Sequence, residues 1–67
     1  MKIYVNGSDL ELREGATIEQ VLTHFEVQQK SGIAVALNDK VVRKSDFEKL
    51  KVNSGDRVEI IRATQGG

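Results

Sequence analysis

A chain of 67 residues without a single cysteine predicts one domain and excludes disulfides, a thiolate nucleophile and cysteine-based metal sites. Ten basic residues balance ten acidic ones, which argues against nucleic acid as the main partner, because phosphate binding relies on a basic surplus. Three aromatic residues, Tyr4, Phe25 and Phe47, are too scattered for a base-stacking platform. No apolar run approaches the roughly 20 residues of a membrane span, and Met1 to Asn6 lacks the apolar segment of a signal peptide. A cytoplasmic protein, monomeric when free, is the expectation. A domain this short buries only about 60% of its unfolded surface, so its core must be closely patterned.

Residues 2–6 alternate, with Ile3 and Val5 on one side and Lys2, Tyr4 and Asn6 on the other, as in a strand with one buried face. Asn6-Gly7-Ser8-Asp9 is a turn cluster, and Leu10 and Leu12 alternate with Glu11 and Arg13 to complete a β-hairpin. Glu14-Gly15-Ala16 breaks that pattern. Thr17 is then a helix N-cap with Gln20 three residues on, a capping box. Ile18, Val21, Leu22 and Phe25 follow at i, i+3, i+4 and i+7, the apolar stripe of a short helix over about 18–25. Val27 anchors its exit, and Gln28 to Gly32 form a polar loop.

Ile33 to Leu37 is a continuous apolar run bounded by Gly32 and Asn38, which predicts an interior strand. Asn38-Asp39-Lys40 turns the chain, and Val41-Val42-Arg43 returns as a shorter strand. Ser45-Asp46 caps one helical turn that carries Phe47 and Leu50 inward, while Glu48, Lys49 and Lys51 stay in solvent. Asn53-Ser54-Gly55-Asp56 is a second turn, and residues 57–62 form the last strand with Val58 and Ile60 inward. The predicted core is Ile3, Val5, Leu10, Leu12, Ile18, Val21, Leu22, Phe25, Val35, Leu37, Phe47, Leu50, Val58 and Ile60. A hairpin, a crossing helix, a second hairpin and a final strand give an α+β fold. It is the β-grasp, a mixed sheet of about five strands with one helix packed across one face. The domain spans 1–62, and 63–67 is a flexible tail without a packing signal.

That tail ends in Gly66-Gly67. Glycine has no Cβ, so the pair makes a thin tip, free in φ, that threads a narrow channel and presents the Gly67 carboxylate in another protein's active site. Glycine is about 7% of average usage, so two at a fixed end arise by chance in about 0.5% of chains. The other candidates carry less. His24 lacks a paired nucleophile or carboxylate and sits where a charged side chain complements the helix dipole. Asp39, Asp46, Asp56 and Glu48 lie at turns and caps, where acidic residues serve structure. Lys40, Arg43, Lys44, Lys49 and Lys51 read as a solvated edge that can also steer an acidic surface. Tyr4, Ala34, Ala36 and Ile61 are placed on the sheet face away from the helix, and Tyr4 and Ile61 are the candidate partner-facing residues. No metal-ligand spacing is present.

Four stretches in this order resemble the ubiquitin-like sulfur carriers, and most closely the thiamine-biosynthesis type, the ThiS family. They are Met1 to Gly7, Gly32 to Asn38, Ser54 to Ile61, and Gly66-Gly67. The likeness covers the whole chain. Two features depart from it: Arg43-Lys44 stands where a proline is common, and Gln65 where many members carry a third glycine. The resemblance implies a protein co-substrate and no catalyst of its own. An E1-like adenylyltransferase would adenylate Gly67 with ATP and Mg²⁺, with Thr64, Gln65 and Gly66 in its channel and no cofactor held by the carrier itself. A cysteine desulfurase would supply sulfur, and thiazole synthase would take it from the resulting thiocarboxylate. Two alternatives stand beside this. One is a related Gly-Gly carrier, either the small subunit of molybdopterin synthase or a tRNA-thiolation carrier and protein modifier. The other is a β-grasp interaction module whose terminal glycines are accidental.

Overall fold

The computed structural model describes residues 1–25 and 32–62, and within them the chain runs through β1 (Lys2–Val5), β2 (Ser8–Glu11), α1 (Ile18–His24), β3 (Ile33–Leu37), β4 (Lys40–Val42), a 3-10 turn (Lys44–Asp46) and β5 (Arg57–Arg62). The strands form one sheet in the order β2-β1-β5-β3-β4. β1 pairs antiparallel with β2 and parallel with β5, and β3 pairs antiparallel with both β4 and β5. The last strand therefore lies in the middle of the sheet. This is the mixed-sheet α+β arrangement expected from the sequence. Val27 and the loop residues 28–31 lie outside the described residues, as do Ala63, Thr64, Gln65, Gly66 and Gly67.

The helix begins where the sequence says it should. Thr17 Oγ1 accepts from the Gln20 backbone N–H at 3.3 Å, and Gln20 Oε1 accepts from the Thr17 N–H at 2.9 Å, a reciprocal capping box. Two more of its orphan N–H groups are satisfied from outside the helix: Ile18 donates to the Leu50 carbonyl at 3.0 Å and Glu19 to the Phe47 carbonyl at 2.8 Å. The segment after the 3-10 turn thus serves as a platform for the start of α1.

The core lies between α1 and one face of the sheet. Ile3, Val5, Ile18, Val21, Leu22, Val35, Phe47 and Val58 are buried there as predicted, and Leu10, Leu12, Leu37 and Ile60 pack against them half-buried. Full burial of such a side chain contributes about 1.5–3 kcal/mol, so eight of them dominate the stability of so small a domain.

Several expectations are corrected. Phe25 is 41% exposed, because the helix ends at His24 and Phe25, with φ −93° and ψ 11°, is its C-cap, past the part of α1 that Ile18, Val21 and Leu22 pack into the core. Its ring meets His24 edge-on, with centroids 5.2 Å apart. Leu50 is 37% exposed, because its place is fixed by its carbonyl on Ile18 and its side chain stays at the surface. Ala16, Val42 and Val52 join the core instead. Ala16 and Val52 sit in irregular segments tied by the Val52 N–H donating to the Ala16 carbonyl at 2.9 Å, next to an antiparallel bridge between Thr17 and Lys51. The 3-10 turn is preceded by Arg43, and no Ser45 or Asp46 side chain caps it. Ser8 and Asp9, expected in the turn, belong to β2, which leaves a two-residue Asn6-Gly7 connection. Asn6 at φ 50° and Gly7 at φ 88° both lie in the left-handed region that such tight hairpins require.

Candidate functional site: the open sheet face and the end of β5

The face of the sheet opposite α1 is read off the register. Lys2 and Tyr4 of β1, Asp9 and Glu11 of β2, Arg57, Glu59 and Ile61 of β5, Ala34 and Ala36 of β3 and Val41 of β4 all point there, because directly paired residues share a face. The four residues that the sequence assigned to this face are on it. They do not form one cluster. Tyr4 lies opposite Arg57, whereas Ile61 lies opposite Ala34, and four residues along β5 separate the two by roughly 13 Å at about 3.3 Å per residue.

The face thus has two halves. Around Ile61 it is mostly apolar: Ile61 is 54% exposed, Ala34 beside it is exposed, and Ala36, with Glu59 on its β5 side, pairs on its β4 side with Val41, which is 81% exposed. Ala36 is itself buried, yet it stands apart from the helix-side core cluster, as a small residue under larger neighbours does. Sequence reading missed Val41. Two adjacent valines in a three-residue strand give no phase, and only the pairing of Val35 with Val42 decides which one turns inward. Around Tyr4 the face is polar. A depression beside Tyr4 is lined by Gly7, Asp39, Arg57 and Glu59, and Arg57 Nη2 donates to Asp39 Oδ2 at 3.1 Å.

Two of the acidic residues singled out earlier, Asp56 and Asp39, have structural partners. Asp56 Oδ2 accepts from the Asn53 N–H at 2.7 Å, and its Oδ1 accepts from Asn38 Nδ2 at 3.1 Å. Asp39 is paired with Arg57 as above. Lys40, Arg43, Lys44, Lys49 and Lys51 are all exposed. Among the described residues no cluster of three His, Asp or Glu side chains is placed to hold a metal ion, and no helix is long and apolar enough to cross a membrane.

The strand that leads to the Gly-Gly tip is held at both ends by asparagine side chains. Asn38 opens the β3–β4 turn at φ 50°, and its Oδ1 accepts from the Arg57 N–H at 2.9 Å. Asn6 opens the β1–β2 turn, and its Oδ1 accepts from the Ile60 N–H at 2.8 Å while its Nδ2 donates to the Ile60 carbonyl at 3.3 Å. The sequence marked both as turn residues and gave no sign of these longer reaches. Thr64, Gln65, Gly66 and Gly67 continue from β5 beyond the described residues.

The ThiS family matches residues 2–67 of the chain. A sulfur carrier protein ThiS of Thermus thermophilus is 34% identical over 65 residues, which are 97% of this chain and 98% of that one. A thiazole synthase of Paramagnetospirillum magneticum is 33% identical over all 67 residues, and the chain spans 20% of that relative's length. Among solved structures, the thiamine biosynthesis protein ThiS from Geobacter metallireducens superposes with a TM-score of 0.83 at 29% identity, covering 100% of both chains. With fold, length and sequence in agreement, the chain belongs to the ThiS family, the β-grasp sulfur carriers of thiamine biosynthesis.

Proposed function

We propose that the chain carries sulfur as a thiocarboxylate on Gly67 and delivers it to thiazole synthase. A carboxylate is a poor electrophile, so an E1-like adenylyltransferase first joins it to the α-phosphate of ATP, with Mg²⁺ on the phosphates and pyrophosphate leaving. A persulfide supplied by a cysteine desulfurase then displaces AMP, and a thiol cleaves the new S–S link to leave the thiocarboxylate. Dividing one difficult exchange into easier covalent steps is the logic of covalent catalysis. The chain acts as a co-substrate throughout and holds no cofactor of its own.

The observation that carries the choice of acceptor is the match of this whole chain to a part of a polypeptide named thiazole synthase. A carrier sequence inside its acceptor is expected when the two act in one pathway and meet at high effective concentration. The apolar half of the open face, with Ile61, Ala34 and Val41, supports a docking role for the region next to the tip, and Tyr4, 40% exposed, extends it toward the polar half. Residues 63–67 then reach from that face into the partner's channel.

Intact mass spectrometry tests the reading. The protein is incubated with the adenylyltransferase, ATP, Mg²⁺, the desulfurase and cysteine. One oxygen-for-sulfur exchange located at Gly67, lost again on addition of thiazole synthase and its substrates, is the expected result. An unchanged mass overturns the carrier reading. A thiocarboxylate that thiazole synthase leaves untouched overturns the choice of acceptor.

A further inference from the structure

We propose that Asn6 is a positioning residue for the reacting end of the chain: its carboxamide substitutes for a missing strand and fixes the course of β5 just before residues 63–67. The inference rests on the function proposed above for Gly67.

The ladder between β1 and β5 is short. Only Tyr4 with Arg57 and Val5 with Val58 are in register, and β1 ends at Val5 because Asn6 turns to φ 50°. β5 continues to Arg62. On its β3 side the pairing is complete, from Leu37 with Val58 to Ile33 with Arg62. On its β1 side the backbone of Ile60 would face no strand. Asn6 fills that gap. Its backbone N–H donates to the Val58 carbonyl at 2.9 Å, and its side-chain oxygen and nitrogen then take both polar groups of Ile60. A carboxamide has the same donor and acceptor as a peptide, so it reproduces one rung of a parallel ladder.

These two side-chain bonds link positions 54 residues apart, and they fall two residues before the strand ends. Asn38 makes the matching grip at Arg57, the far end of the same strand. The two asparagines share a φ of 50° and each engages two polar groups with its side chain, so one serves as a control for the other. Loss of either should weaken the fold alike. Only loss of Asn6 should loosen the end of β5 from which the tip is delivered.

Asn6→Gly and Asn38→Gly separate the two effects, since glycine accepts a positive φ and only the carboxamide is removed. Pyrophosphate exchange by the adenylyltransferase, measured against carrier concentration, should give Asn6→Gly a KM raised at least about tenfold with kcat retained, the mark of weaker binding by a strand end that must first be ordered. Asn38→Gly should keep the wild-type KM despite a similar fall in melting temperature. Equal KM values for both variants, or an unchanged KM for Asn6→Gly, overturn the proposal. Backbone ¹⁵N relaxation supplies a readout independent of the enzyme. In Asn6→Gly the order parameters at Ile60, Ile61 and Arg62 should fall from about 0.85 toward about 0.6, and in Asn38→Gly they should not. If the wild type supports no exchange at all, the carrier function has failed, and unaltered order parameters would then refute the role of Asn6 separately.

Discussion

Ile61 and Ala34 stand directly opposite each other on the face of the sheet that α1 leaves uncovered, one residue before the end of the central strand. A large exposed side chain beside a small one makes a ledge near the C-terminal end of β5. Ile61→Glu adds a charge at a solvent-exposed site, so its effect on folding should stay within about 0.5 kcal/mol. Affinity for the adenylyltransferase should fall at least about tenfold, equivalent to about 1.4 kcal/mol. Calorimetric titration of the two proteins measures it, and an unchanged Kd would remove the apolar half of the open face from the docking surface.

Leu22 and Phe25 belong to the same apolar stripe in sequence and to different environments in the fold. Leu22 is fully buried and Phe25 is not. Leu22→Ala should cost about 2–5 kcal/mol, a large share of what a small domain has. Phe25→Ala should cost far less than the roughly 3–5 kcal/mol of a core phenylalanine. Urea unfolding of both variants tests the difference, and equal losses would contradict the exposed position of Phe25.

The capping box of α1 predicts a smaller, separate effect. Thr17→Ala removes the hydroxyl that receives the Gln20 N–H and should cost about 1 kcal/mol. Gln20→Ala should cost less than that, since the Thr17 N–H it abandons lies at an exposed position and can turn to water. The same unfolding measurement orders the two, and a larger loss for Gln20→Ala would mean that the Thr17 N–H has no access to solvent.

Chemistry and folding should separate at the tip. Deleting Gly66-Gly67 is expected to leave the melting temperature within about 2 °C of the parent, less than about 0.5 kcal/mol for a domain of this size, while abolishing adenylation. Gly66→Ala and Gly67→Ala should slow pyrophosphate exchange sharply if the tip enters a narrow channel as proposed, since a Cβ restricts φ and widens it. Gln65→Ala should react nearly as the wild type does. Wild-type rates for both glycine variants would show that the tip is no threading device.

What the sequence determined by itself was the periodic part of the molecule. Alternation at Ile3 and Val5, the helical spacing of Ile18, Val21 and Leu22, and the Thr17 and Gln20 cap each encode local structure within a few residues, and together they implied the sheet and the helix across it. The stretches resembling ThiS, Gly66-Gly67 among them, pointed to the family for the same reason: they are read from neighbouring residues alone. Tertiary structure decided what lacks a local period. Ala16 and Val52 are buried because two irregular segments meet, and no pattern within either one announces it. Val41 and Val42 are alike in sequence and opposite in burial, because the pairing of β4 with β3 sets their phase. The reach of Asn6 to Ile60 depends on β1 ending where β5 continues, a relation between strands distant in the chain that forms only when the sheet closes around its last strand.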